Sequence, residues 1–451
     1  MPVSPARAAA FDILLRVERE SSYASELLHS SAHERLSQQD HALATELVMG
    51  TLRWRSRLDD EITTAASQPL AKLDLEILIA LRLAVYQFHH LDRIPRRAAL
   101  HESVELVKRA RKRSAASFVN AILRKLAAKS EIIVNDEPVS SVSLAKAHAH
   151  PLWLVERWAG NYGLAAAQQI CQHNQSVPTT AIRLRTPDQI AVEKVTLVPG
   201  ALLASARRVQ AGDITKTTAY LASQVVIQDE ASQLVAAFLG SMPPSAPFRI
   251  LDCCAAPGGK TLAIADHNPN ATITALELHP HRARLLAKLL RSPTPSATTH
   301  TPNIQIIAAD ARRSPTAILF DRILADVPCS GTGTLARNPE IKWRLTPDDL
   351  PRLQILQRAI LHSVLAQLTP RGRLIYSTCS LEKEENEDVI ENALAQEKSL
   401  RLLDCGIVLD QLRATGDLTW SGPALTRGPY LRTLPGLHPS DGFFAAILER
   451  V

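Results

Sequence analysis

Two cysteines of this chain sit in settings that suit a nucleophile better than a packing residue. Cys329 lies in Asp326-Val-Pro-Cys-Ser-Gly-Thr-Gly333 and Cys379 in Tyr376-Ser-Thr-Cys-Ser380, each directly after a short apolar run. A free cysteine is ordinarily a small core residue, but both of these are followed by Ser in a turn at the end of a predicted strand. The chemistry that needs this arrangement is alkylation of a pyrimidine at C5. A thiolate adding at C6 turns the ring into an enamine, and C5 then attacks a sulfonium methyl that it otherwise leaves untouched. A carboxyl group hydrogen-bonded to the base edge favours the addition, and Asp326 is close by in sequence. One cysteine, one acid and a sulfonium donor suffice for transfer, which leaves Cys329 for release of the product.

A cofactor turn precedes them. Residues 250–261, Ile-Leu-Asp-Cys-Cys-Ala-Ala-Pro-Gly-Gly-Lys-Thr, run from a strand through a Gly-rich turn into a helix. Doubly wound sheets bind ligands at such strand ends, where glycine lets a ligand approach the backbone. A phosphate-binding P-loop would need glycine at position 254, which is Cys254, so an ATPase is excluded. The next strand ends at Glu277, twenty-five residues beyond Asp252, where a carboxylate suits ribose hydroxyls. Asp310 ends the third strand and is equally suited to capping the segment after it.

The elements that must position these residues fall into three regions. Residues 1–135 read as an all-α domain. Its predicted helices cover 39–52, 73–88, 98–111 and 114–126, with apolar residues at helical spacing. Residues 136–245 read as a small α+β domain, with a helix over 151–162 and a strand at 182–184. No element is evident between 187 and 220, and the Pro-rich stretch 241–247 is a linker. From 246 to 451, strands at 248–253, 272–278, 304–309, 322–327, 373–378 and 443–448 alternate with helices such as 280–290 and 350–368. That rhythm predicts a mostly parallel sheet in a doubly wound α/β domain, with a surface loop at 291–303.

Composition narrows the class. The chain has 451 residues, 46% hydrophobic and 21% charged, with no apolar run long enough to span a membrane. Its N-terminus is too charged for a signal-peptide core, so cytoplasmic residence is expected. The six cysteines form no C-x-x-C pair, which argues against a zinc or redox site and gives no metal. Residues 91–129 hold eleven Lys/Arg against three acids, so this segment carries +8 in a chain of net charge +6. Such a stripe attracts a polyanion such as RNA, although it is also what a solvated helix face looks like.

Together these motifs resemble the Sun/Nop2 family of S-adenosylmethionine-dependent RNA cytosine-C5 methyltransferases. The resemblance is carried by Asp252 to Thr261, Asp326 to Gly333, Asn338-Pro-Glu-Ile-Lys-Trp-Arg344 and Ser377 to Ser380. Glu385-Asn386-Glu387 and Ser440-Asp-Gly-Phe-Phe444 match the family's closing motifs. Leu47-Val-Met-Gly-Thr-Leu-Arg53, Leu81 to Gln87, Glu102 to Lys108 and Phe118 to Arg124 are similar to the NusB-like helical domain of its RsmB (Fmu) subfamily. Pro151-Leu-Trp153 and Gln228 to Ser232 fit that subfamily's intermediate region. Arg183-Leu-Arg185 departs from it, since the family usually shows Arg-Val-Asn there. The resemblance implies a class I, Rossmann-like catalytic domain and methylation of one cytosine of 16S rRNA, usually numbered 967 in that RNA. It implies Cys379 as nucleophile, Cys329 for product release, and Asp326 between cofactor and base. It also implies a pocket for S-adenosylmethionine at Cys254, Ala255, Ala256, Pro257, Gly258, Gly259 and Lys260, with Glu277 on the ribose and Asp310 near the adenine. The partner is then 16S rRNA and the enzyme a monomer. Two alternatives remain: the same chemistry on tRNA or another rRNA site, and a non-catalytic NusB-like RNA-binding protein.

Overall fold

The computed structural model of the chain describes residues 3–30, 36–128, 140–185, 192–240, 248–290 and 303–451. The linker at 241–247, Lys129 of the basic stripe and nearly all of the loop at 291–303 lie outside them. Two compact units result. The first is Met1–Val177 together with Leu335–Arg344, and the second is Pro178–Thr334 together with Leu345–Val451.

The first unit is helical. Its helices are α1 (Pro5–Glu20), α2 (Ala24–Leu28), α3 (Gln38–Ala65), α4 (Leu75–His90), α5 (Arg96–Arg109), α6 (Ala116–Ala127), α7 (Ser141–Ala147), α8 (Leu152–Tyr162) and α9 (Leu164–Gln175). Ser37 caps α3 by accepting the Asp40 amide at 3.1 Å. The apolar α4 is buried from Ile79 to Phe88, as a central helix must be, and α1, α3, α5 and α6 close around it. Gly50 on α3 lets the Tyr86 ring lie against the backbone, since a Cβ there would fall 1.9 Å from it. Leu335–Arg344 joins this unit with its one-turn helix Ile341–Arg344.

The second unit carries two sheets. A small antiparallel sheet orders β1 (Ala181–Leu184), β2 (Thr196–Pro199), β3 (Ala206–Ala211) and β4 (Val225–Ile227) as β2-β3-β1-β4. The large sheet contains β5 (Phe248–Asp252), β6 (Ala271–Glu277), β7 (Asn303–Ala308), β8 (Phe320–Asp326), β9 (Leu368–Thr378), β10 (Leu400–Leu403), β11 (Thr426–Arg427), β12 (Tyr430–Thr433) and β13 (Phe443–Arg450). Its order is β11-β12-β13-β9-β8-β5-β6-β7, with β10 also on β13. The five strands β5 to β9 pair in parallel, and β13 runs antiparallel to β9.

Successive strand residues serve opposite faces, and both faces are covered. Ile250, Leu324, Ile375 and Ile447 enter one core with Ala263 and Ile264 of the helix Gly259–His267. Leu251, Ile323, Leu374 and Leu448 enter another with Ile360, Leu361 and Val364 of the helix Asp349–Leu365. This is the doubly wound, Rossmann-like domain expected from the alternating pattern. Strand order runs outward from β5 in both directions, so the chain's path reverses between β5 and β8. Ligands bind at the carboxyl ends of strands at such a point.

Candidate active site

β5 ends at Asp252, and the turn after it is held by both neighbouring strands. The Cys253 amide donates to Leu324 O at 3.0 Å and the Ala255 amide to Leu276 O at 2.8 Å. Gly258 starts the next helix at φ +112°, a conformation that favours glycine. Lys260 then reaches Asp326, the last residue of β8, with Nζ–Oδ2 2.7 Å, and its ammonium lies 5.1 Å from the Phe443 ring centroid. Burial works against the Lys260 charge, but Asp326 outweighs it and the ammonium's pKa is raised. The second oxygen of Asp326 accepts the Ser377 hydroxyl at 2.8 Å.

Asp252 is a residue whose part in the site the sequence does not reveal. It is buried, its Oδ2 accepts Thr261 Oγ1 at 2.7 Å, and its Oδ1 has no hydrogen-bond partner among the described residues. Burial, against the opposing Thr261 hydrogen bond, pushes this carboxyl up to about 6. An unsatisfied buried carboxylate oxygen calls for a donor or a cation. A cofactor that carries an ammonium and a sulfonium group fits that demand. Glu277 ends β6, is buried, and accepts the His279 amide at 2.9 Å through Oε1. Asp310 follows β7 and caps the turn Ala311–Arg313. Its carboxylate takes the Arg312 amide at 3.0 Å and the Arg312 guanidinium at 2.6 Å, and these bonds hold its pKa down.

The two cysteines meet. Cys329 follows β8, Cys379 follows β9, and their sulfurs are 3.3 Å apart. Both are partly buried free thiols. Hydrogen bonding to Cys379, then burial, pushes the Cys329 thiol well up. Either sulfur can be the donor in this contact. The loops interlock elsewhere as well: the Gly333 amide donates to Cys379 O at 2.9 Å, and the Gly442 amide to Gly333 O at 2.8 Å. A Cβ on Gly333 would lie 2.2 Å from Gly442 O, so glycine is required for this approach. The Cys254 sulfur lies 3.9 Å from that of Cys253. Lys260, Asp326, Cys329 and Cys379 thus share the carboxyl edge of three adjacent strands.

Comparison with known proteins decides the family. Residues 241–449 match the family described as 16S rRNA methyltransferase RsmB/F, and residues 4–128 match the NusB family. The chain is 32% identical over its full length to the probable ribosomal RNA small subunit methyltransferase B of Bacillus subtilis (strain 168), with all of both chains covered. This chain belongs to the RsmB/F family of rRNA methyltransferases. The ribosomal RNA small subunit methyltransferase B of Vibrio cholerae is 30% identical, covering 98% of this chain and 97% of its own. The crystal structure of PH0851 shares the whole fold, with a TM-score of 0.79 at 22% identity and all of both chains covered. The family's methyl donor is S-adenosylmethionine, and the turn of β5 with Asp252, Lys260 and Glu277 fits it.

Among the described residues no group of three or more His, Cys, Asp or Glu side chains is placed to hold a metal, and no helix is long and apolar enough to cross a membrane. Arg183 and Arg185 are buried. Both pair with Asp266, at 2.8 and 2.7 Å. They brace the small sheet against the helix Gly259–His267.

Proposed function

We propose that this RsmB/F-family methyltransferase methylates C5 of a single cytosine in 16S rRNA, the 967-type position, through a covalent bond between Cys379 and C6. The observation that carries this reading is the 3.3 Å approach of Cys329 and Cys379 beside the Lys260–Asp326 pair. Cys379, with the Cys329 thiol hydrogen-bonded to its sulfur, adds to C6 as a thiolate. Asp326, oriented by Lys260 and Ser377, accepts a hydrogen bond from the base edge. Residues 254–260, with Glu277 on the ribose and Asp310 near the adenine, would hold S-adenosylmethionine, which would supply the methyl group for C5. A solvent water then takes the C5 proton, the C5–C6 double bond reforms, and Cys379 leaves as a thiolate that accepts the Cys329 S–H hydrogen bond.

The regions divide the work: 1–135 binds RNA, 136–245 is intermediate, and 246–451 carries the chemistry, in a cytoplasmic monomer. Of the basic stripe, Arg93, Arg97, Arg111, Arg113, Arg124 and Lys125 are exposed without an ion-pair partner among the described residues. Lys108, Arg109 and Lys112 pair with Glu105, Asp12 and Asp74. Reversing the charge of Arg111, Lys112 and Arg113 is expected to weaken RNA binding and flatten its salt dependence. Unchanged binding would leave the stripe a solvated face.

The substrate is tested by incubating the enzyme with methyl-labelled S-adenosylmethionine and unmodified 16S rRNA, 23S rRNA or tRNA. Label in 16S rRNA alone, recovered as 5-methylcytosine at one position, is expected. Label in tRNA or 23S rRNA would overturn the substrate, and any other methylated base would overturn the chemistry.

A further inference from the structure

Glu385 belongs to a motif that the sequence placed near the end of the site without a function. It is fully buried, and no cation pairs with it among the described residues. A carboxylate can accept about four hydrogen bonds, and this one has four donors. Oε1 accepts the Ser330 amide at 2.8 Å and Gln357 Nε2 at 2.9 Å. Oε2 accepts the Ser330 hydroxyl and, at 2.5 Å, the Ser380 hydroxyl. Ser330 directly follows Cys329, and Ser380 directly follows Cys379.

One carboxylate thus ties together the two loops that carry the cysteines. It is itself fixed from outside the pair. Tyr376 Oη donates to Glu385 O at 2.6 Å, and Gln357, on the helix Asp349–Leu365, also donates to Pro328 O at 3.0 Å. Bonds to an ionised acceptor are shorter and stronger than neutral ones, and a buried carboxylate is retained only where such bonds satisfy it.

We propose that Glu385 is the positioning residue that sets the spacing of the two catalytic thiols, and that the step most dependent on it is product release, where Cys329 must stay against the departing Cys379. This rests on the roles assigned to the two cysteines above. Glu385 lies beyond the reacting atoms and acts only through Ser330 and Ser380. Gln at this position keeps most of the clamp, because both serine hydroxyls can turn to accept from its amide. Ala removes it.

The test combines a chemical readout of thiol spacing with the partition of the covalent adduct. Phenylarsine oxide condenses with two neighbouring thiols, forming two As–S bonds and releasing one water without any redox change. It is expected to protect Cys329 and Cys379 of the wild type from later alkylation, read by peptide mass mapping. Glu385→Ala should lose that protection, bind S-adenosylmethionine as the wild type does, and accumulate RNA adduct. Its turnover should fall on the order of a hundredfold, the cost of about an ångström of misplacement. Glu385→Gln should recover most of both properties.

If Glu385→Ala does not fold, as judged by cofactor binding, the double variant Ser330→Ala/Ser380→Ala replaces it with the same expectations. A folded variant with wild-type thiol bridging and wild-type adduct partition would overturn the proposal. Adduct formation that survives Cys379→Ala in the same series would instead overturn the assigned mechanism, while the arsenical result would still report on the clamp.

Discussion

Asp252 shows how a single buried carboxyl makes the stability of the site depend on pH. Its pKa of about 6, against an ordinary value of 3.8, means that the folded protein holds a proton that the unfolded chain releases between those values. Stability must therefore fall as pH rises from about 4 through about 6, by roughly 3 kcal/mol for this group alone. Asp252→Asn has no such proton to lose. Urea unfolding at pH 4, 5, 6 and 7 without cofactor should show the variant gaining on the wild type up to pH 6 and levelling off above it. A constant difference would mean that the carboxyl is not strained by burial. That Cys329, Cys379, Asp326 and the Gly-rich turn lie at strand ends was legible in the sequence because their motifs are local. The unpaired oxygen of Asp252 and the four bonds of Glu385 were not, because they depend on Thr261, Ser330, Ser380 and Gln357, which only the fold brings near.

At the scale of elements, six strands of the large sheet were legible, since apolar strands covered on both faces leave little ambiguity, whereas the short strands β10, β11 and β12 were not, and β9 begins at Leu368 rather than 373. The helix expected at 39–52 instead runs to Ala65. Beyond Leu52 the chain turns polar, and the helix is continued by Leu58 and Ile62 in the core and by the Asp59–Arg82 ion pair, at 2.7 Å. Strands β2 and β3 were hidden because they are short, mostly half-buried or exposed, and lack clean alternation. The small sheet depends on a contact that no local pattern reveals, that of Asp266 with Arg183 and Arg185. Asp266→Ala removes the carboxylate that two buried guanidinium groups share, at a cost of about 3–5 kcal/mol. Denaturant unfolding should show that loss, whereas a change under 1 kcal/mol would place the arginines in reach of water.

At the scale of the whole molecule, the chain does not follow its units in simple succession. The segment Leu335–Arg344 leaves the methyltransferase fold just after the Cys329 loop and belongs to the helical unit. There Arg344 donates to Val17 O at 2.6 Å, Ser21 O at 2.9 Å and Ser22 O at 2.6 Å, capping the end of α1. Lys342 donates to Arg53 O at 2.9 Å and Trp343 to Leu52 O at 2.6 Å. The motif Asn338 to Arg344 was visible in the sequence, but its acceptors are backbone carbonyls some 300 positions away, which carry no sequence signature. Arg344→Ala is expected to cost about 1.5–3 kcal/mol, the worth of hydrogen bonds from a charged donor, while leaving cofactor affinity unchanged. Denaturant unfolding and cofactor titration of the full-length variant check both parts. Unaltered stability would show that the segment is not held by its arginine.

The most direct measurement uses wild type, Cys379→Ala and Cys329→Ala with S-adenosylmethionine and a 16S rRNA fragment, resolved on a denaturing gel. Cys379→Ala should give neither methylation nor a protein–RNA adduct, and Cys329→Ala should accumulate the adduct. An adduct that needs Cys329 and survives the loss of Cys379 would contradict the assigned roles and the mechanism built on them.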